Sequence, residues 1–339
     1  MNGLSTVQLT TKQIKDFLID IFNAENLIYD HLDSFLNSLA VALNNERVIG
    51  IALQGPPGEG KSMIISAILD YICIGGASCI RGLDDQTLEE ELFFTENFMP
   101  FAVDQSGKDS DKESKRPRYT YGEICKSVFL KTCPILEEAN RVQSRFYSGP
   151  MFLALDDRRV SFPGGKIIRA YPDWKVFLLM NFKSSQDLNF EMSVLPEALR
   201  DRIMFISLPY SPLPAVRKII GSELEKDAYK NAKVEDNVID ILLELRKETI
   251  KRSPLPKHLI GDYYEKEQDP IYEYNGLSIR SILRMISVYL ASKSLYETKE
   301  EALKLAIKNN CNSVYRSTEP DHYEEFDRIL DEIFKNNPF

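Results

Sequence analysis

Apolar positions near the start of the chain recur at helical spacing. Ile14, Phe17, Leu18, Ile21 and Phe22 form one stripe, and Leu32, Phe35, Leu36, Leu39 and Leu43 form another, so residues 11 to about 43 read as helix packed on a core. The pattern then changes to short apolar runs divided by polar turns. Val48 to Leu53 reads as a buried strand, and Met63, Ile64, Ala67, Ile68 and Tyr71 return to helical spacing. Ser78 to Arg81 suits a second strand, followed by an acidic helix from Asp84 to Phe94. Residues 104–120 are polar and nearly charge-balanced, which predicts a surface loop carrying Lys108, Lys112, Lys115, Arg116 and Arg118.

The apolar run Pro134-Ile135-Leu136 leads into two carboxylates, Glu137 and Glu138, and a helix is expected from Val142 to Leu155. Val160/Phe162 and Ile167/Ile168 flank Pro163-Gly164-Gly165-Lys166, the pattern of a β-hairpin within Arg158 to Trp174. Lys175 to Asn181 reads as a buried strand ending in a polar residue, Leu195 to Arg202 as a short helix, and Ile203 to Leu208 as one more strand. Pro209-Tyr210-Ser211-Pro212-Leu213-Pro214 punctuates the chain. Beyond it the pattern is helical, around 214–232, 235–252, 276–295, 299–315 and 321–335. The expected organisation is a helical segment over 1–45, an α/β domain over 46–209 with a hairpin insertion near 158–174, and a smaller all-helical domain over 214–339.

Composition narrows the function. The net charge of −9 disfavours a broad nucleic-acid surface. The cysteines (Cys73, Cys79, Cys125, Cys133, Cys311) are odd in number and irregularly spaced, which suits reduced thiols in the cytoplasm. His31, His258 and His322 are scattered, against a histidine metal site. The first residues lack the basic start and apolar core of a signal peptide, and no apolar run approaches the ~20 residues that span a bilayer.

The chemistry enters at Gly55, Pro56, Pro57, Gly58, Glu59, Gly60, Lys61, Ser62 and Met63, which spell G-x-x-x-x-G-K-S between the first strand and its helix. Glycines let successive N–H groups curl around phosphate oxygens. Lys61 supplies charge for the β- and γ-phosphates, Ser62 a hydroxyl for Mg²⁺, and the helix its positive end. In a largely parallel sheet, ligand groups gather at the carboxyl ends of strands. Lys61, Ser62, Glu137, Glu138 and Asn181 would all fall there. They supply what phosphoryl transfer to water needs: phosphate charge, a metal-bound acid, a base and a polar positioning group.

With those residues in place, the chain resembles AAA+ ATPases, and within them the MoxR-type branch. The matching segments are GPPGEGKS, ILEEANR, the hairpin after LALDDRRV, LLMNF, LPEALRDRIMF and LSIRSIL, in the family's order over about residues 48 to 290. RAYPDWKVFLLMNF also resembles relatives of the RuBisCO-activase, gas-vesicle and midasin type, so the subgroup stays open. The resemblance implies a P-loop NTPase αβα domain followed by a helical lid, with ATP and Mg²⁺ bound. It implies Glu138 as the catalytic glutamate, Asn181 as sensor 1, Arg202 as a finger acting on a neighbour's γ-phosphate, and Arg280 as the lid arginine at the nucleotide. The family's Asp before the catalytic glutamate is Glu137 here, one methylene longer, with Ser62 the other metal-side residue.

The implied function is a remodelling ATPase working as a ring, usually a hexamer, on a protein complex or a cofactor-insertion client, with a separate von Willebrand A-type partner. Two alternatives remain: a nucleotide-bound assembly or scaffold protein with slow turnover, suggested by Glu137, and a nucleic-acid motor akin to restriction translocases, against which the acidic balance weighs.

Overall fold

The structure is a computed structural model. It describes residues 9–25, 27, 32–73, 79–83, 89–98, 117–141, 147, 149–181, 197–226, 234–253, 276–311 and 320–339. Five parallel strands form its central sheet: β1 (Gly50–Gly55), β2 (Cys79–Gly82), β5 (Pro134–Glu137), β8 (Val176–Asn181) and β9 (Ile203–Ser207), in the spatial order β2-β5-β8-β1-β9. Side chains alternate between the two faces of this sheet. Ile51, Leu53, Ile135, Phe177, Leu179 and Ile206 join one buried cluster, while Ala52, Leu136, Val176, Leu178 and Met180 join another. Burial on both faces explains the unbroken apolar runs.

The first face is covered by α1 (Thr11–Ala24), α2 (Asp33–Asn44) and α3 (Lys61–Ile72), through Leu18, Phe22, Phe35, Leu39, Ile65 and Ile68. α1 begins with a capping box: Gln13 N–H donates to Thr10 Oγ1 (3.3 Å), and Thr10 N–H donates to Gln13 Oε1 (2.8 Å). On α3 the buried side lies at Ile64, Ile65, Ile68 and Leu69, while Met63 and Tyr71 are exposed. The apolar stripe expected on this helix was therefore displaced by about one position.

The second face meets α4 (Glu89–Phe93), α5 (Glu123–Leu130) and α6 (Gly149–Asp157), with Trp174 fully buried and its indole N–H donating to Ser127 Oγ at 2.9 Å. Here the sequence expectations need correction. The acidic helix ends at Phe93, one residue before the expected end, since Phe94 begins strand β3 (Phe94–Phe98), antiparallel to β4 (Pro117–Tyr121); residues 84–88, where the helix was expected to start, lie outside the described residues. Thus 117–120 is strand rather than loop, while 104–116, with most of the basic residues, lies outside the described residues. The helix expected from Val142 is seen as α6, with 142–146 outside the described residues. The hairpin forms as expected from β6 (Arg159–Phe162) and β7 (Lys166–Arg169) around Pro163–Gly165. Phe162 is packed, 5.0 Å from the Phe129 ring and 6.2 Å from that of Tyr121, so it is a core aromatic.

α7 (Glu197–Arg200) precedes β9. The C-terminal region is helical: α8 (Leu213–Leu224), α9 (Asp236–Lys251), α10 (Ile279–Ser292), α11 (Lys299–Cys311) and α12 (Pro320–Asn336), around their own buried cluster centred on Leu242, Leu245, Ile282 and Ile286. Among the described residues no helix is long and apolar enough to cross a membrane.

Candidate functional site

Register brings the expected residues to one edge of the sheet. Gly55 at the end of β1 pairs with Asn181 at the end of β8, and Glu137 ends the neighbouring β5. Between β1 and α3 the loop turns through Gly58 (φ 72°) and Gly60 (φ 86°), left-handed conformations that favour glycine. Gly60 starts α3 with no side-chain cap, so the first-turn N–H groups of α3 point into the loop. Gly55 serves close approach, because a Cβ there would meet Leu208 O at 2.8 Å.

Lys61 lies at the centre. Its Nζ donates to Gly55 O (2.9 Å), Pro56 O (2.7 Å) and Asn181 Oδ1 (2.9 Å). Burial lowers its pKa to about 8, opposed by the charges of Glu59, Glu138 and Glu137 and assisted by Arg280. Ser62 Oγ donates to Glu137 Oε1, so the extra methylene of Glu137 does not keep it from the hydroxyl. Asn140 Nδ2 holds the end of β8 through Asn181 O (2.9 Å). Glu138 has φ 58°, a left-handed backbone uncommon for a residue with a side chain, and its carboxylate pairs with Arg141.

Arg280 stands at the start of α10, whose N-cap Ser278 accepts from Ser281 N–H (3.1 Å). Both residues sit against the loop: a Cβ on Gly58 would lie 2.6 Å from Ser278 Oγ and 3.2 Å from Arg280 Cβ. Met63 is exposed beside the loop. Arg202 is elsewhere. It precedes Ile203, which pairs with Gly50, so it sits at the opposite edge of the sheet. Five strand steps separate Gly50 from Gly55, roughly 16 Å. There Arg202 Nε pairs with Asp156 Oδ1 (2.8 Å), and its guanidinium lies over the Phe152 ring (4.8 Å).

These groups suit a magnesium-bound polyphosphate. An uncapped helix start, left-handed glycines and a buried ammonium receive an anion, and a hydroxyl paired with a carboxylate offers the oxygen donors that Mg²⁺ takes together with phosphate and water. Among the described residues no cluster of three His, Cys, Asp or Glu could hold a metal by itself.

Residues 50–203 match the family model of the AAA domain, dynein-related subfamily. The fold is that of an AAA P-loop NTPase with a helical C-terminal region. Among solved structures the chain is similar to a candidate ATPase from Cytophaga hutchinsonii, at 15% identity and TM-score 0.45 over 95% of both chains. It is also similar to NtrX from Brucella abortus, solved in complex with ADP, at 12% identity and TM-score 0.49 over 95% of this chain and 67% of that one. No curated protein matches the sequence.

Ser278 and Asn140 lie within LSIRSIL and ILEEANR, two of the segments that carry the resemblance, but the sequence reading gave neither a role. The partner of Glu59 lies 187 positions away, at Arg246, beyond the reach of any local pattern.

Proposed function

We propose that this chain binds Mg-ATP at Gly55 to Met63 and hydrolyses it as a subunit of a ring. The observation that carries the reading is the hydrogen-bonded meeting of Lys61, Ser62, Glu137 and Asn181 at the carboxyl edge of the sheet. On this reading loop N–H groups and Lys61 bind the phosphates, and Ser62 and Glu137 hold the metal. Mg²⁺ neutralises charge on the phosphate oxygens when bound. Glu138 accepts the proton of the attacking water, Asn181 orients that water, and Arg280 steadies the phosphates from α10. Arg202 lies too far from its own loop to assist there, which supports a role on a neighbouring subunit. Six subunits, remodelling of a protein complex or cofactor-insertion client, and a von Willebrand A-type partner follow from the MoxR-type resemblance and belong to the same proposal. So does the division into an αβα domain ending near 209 and a lid from 214. A cytoplasmic location is supported by Cys73, Cys125, Cys133 and Cys311, all buried free thiols.

The purified chain should release phosphate from ATP, and EDTA should abolish that release. Release that persists without divalent metal, or no release under any condition, would overturn the proposal.

Lys61 gives a second expectation. Burial holds its pKa down to about 8 before binding, so its charge is complete at pH 6 and incomplete at pH 8. Phosphates favour the charged form and raise that pKa, so binding takes up a fraction of a proton at pH 8 and none at pH 6. Affinity then weakens as pH rises above about 8. Calorimetry of ATP binding in two buffers of different ionisation heat reads the uptake, and equal proton counts at both pH values would contradict it.

A further inference from the structure

Glu59 belongs to the loop, yet its side chain is committed to the helical region. Its buried carboxylate takes two parallel hydrogen bonds from Arg246 of α9, Nη1 to Oε1 at 2.9 Å and Nη2 to Oε2 at 3.0 Å. It also accepts Ser211 N–H at 3.2 Å. Arg246 is itself fully buried, donates to Ser211 O (3.2 Å) and to Leu277 O, and lies 5.2 Å over the Tyr210 ring. Leu277 directly precedes Ser278 and the helix that carries Arg280. One guanidinium therefore joins the loop, the connector at Tyr210 and Ser211, and the start of α10.

Stability alone does not call for such a pair, since apolar replacements of buried ion pairs are often as stable. What the guanidinium adds is direction: a planar fork fixes the angle between the groups it joins, where an apolar contact permits sliding. Position matters here because Ser278 and Arg280 lie so close to Gly58 that a Cβ added there would meet both.

We propose that Arg246 is a positioning residue for ATP hydrolysis: through Glu59 and Leu277 it sets where the start of α10, and with it Arg280, stands over the phosphate loop. The inference rests on the nucleotide-binding reading above. It makes the position of the helical region and the shape of the loop one variable, so a nucleotide that orders the loop also sets α10.

A single Arg246→Met leaves a buried unpaired carboxylate and risks the fold. The test therefore uses Glu59→Gln/Arg246→Met, which removes both charges, and Arg246→Lys, which keeps the charge but loses the fork. Each should lose roughly 10–10²-fold in kcat, the scale of a misplacement near 1 Å, with a smaller rise in KM because Glu59 and Arg280 border the phosphate site. Arg280→Ala should lower kcat in the wild type and add little in either variant, because a misplaced arginine has nothing left to lose. Hydrogen exchange of the amides at 278–284 in nucleotide-free protein should be faster in both. Wild-type kcat in a folded variant, fully additive losses with Arg280→Ala, or unchanged exchange would overturn the inference. The exchange arm needs no ATP, so failure of the nucleotide-binding reading, visible as a wild type that releases no phosphate, is told apart from failure of the anchoring.

Discussion

Arg202→Ala should bind ATP as the wild type does and lose roughly 10³–10⁵-fold in turnover, the range of arginine fingers in other nucleotide hydrolases. The structural reason is location. Arg202 is held by Asp156 and Phe152 at the sheet edge opposite its own loop, so its removal leaves the phosphate-binding groups intact. Its charge would serve a neighbour, where negative charge develops on the γ-phosphate. Mixing distinguishes that role. Arg202→Ala subunits and Lys61→Ala subunits are each inactive alone, but a Lys61→Ala subunit can lend its Arg202 to the intact loop of an Arg202→Ala neighbour. Activity should return in mixed rings whose subunit exchange is verified with labelled chains. Proven mixing without recovery would restrict Arg202 to its own subunit and make exposed Arg200 the next candidate.

Glu138→Gln should bind Mg-ATP and hydrolyse it about 10²–10⁴-fold more slowly. Gln keeps the shape and cannot take a proton from water. Both residues meet the same left-handed backbone at φ 58°, so the comparison isolates the carboxylate from backbone strain. Single-turnover hydrolysis is the measurement. Normal turnover in Glu138→Gln together with loss in Glu137→Gln would exchange the two roles. Glu137→Gln should instead show a higher Mg²⁺ requirement, since Glu137 is the carboxylate that meets Ser62.

What the sequence disclosed followed from local rules. A strand buried on both faces needs an unbroken apolar run, so β1, β5 and β8 stood out, and the glycines after β1 and Lys61 at the start of α3 are dictated by backbone curvature and anion charge. The hairpin was marked by its Pro-Gly-Gly turn. Other features depend on partners far along the chain. The order β2-β5-β8-β1-β9 is a matter of crossovers, which no single segment records. β4 was hidden because Pro117 to Tyr121 follows a charged stretch, and its strand character comes from pairing with β3. On α3, periodicity located an apolar stripe without saying which flank meets the sheet, so Met63 and Tyr71 were expected inside and lie outside. At the site, Lys61, Ser62, Glu137, Glu138 and Asn181 were legible because motif and strand ends coincide. The link from Glu59 to Arg246 was not, because a buried ion pair across 187 positions has no local signature.

On the proposed reading the loop from Gly55 to Met63 is the nucleotide site, with Lys61 its principal charge. The decisive measurement is calorimetric titration of Mg-ATP at pH 8 into the wild type and into Lys61→Ala, with folding of the variant checked by circular dichroism. Saturable binding with proton uptake in the wild type, and no measurable binding in Lys61→Ala, is the predicted result. Equal ATP affinity in a folded Lys61→Ala would contradict it.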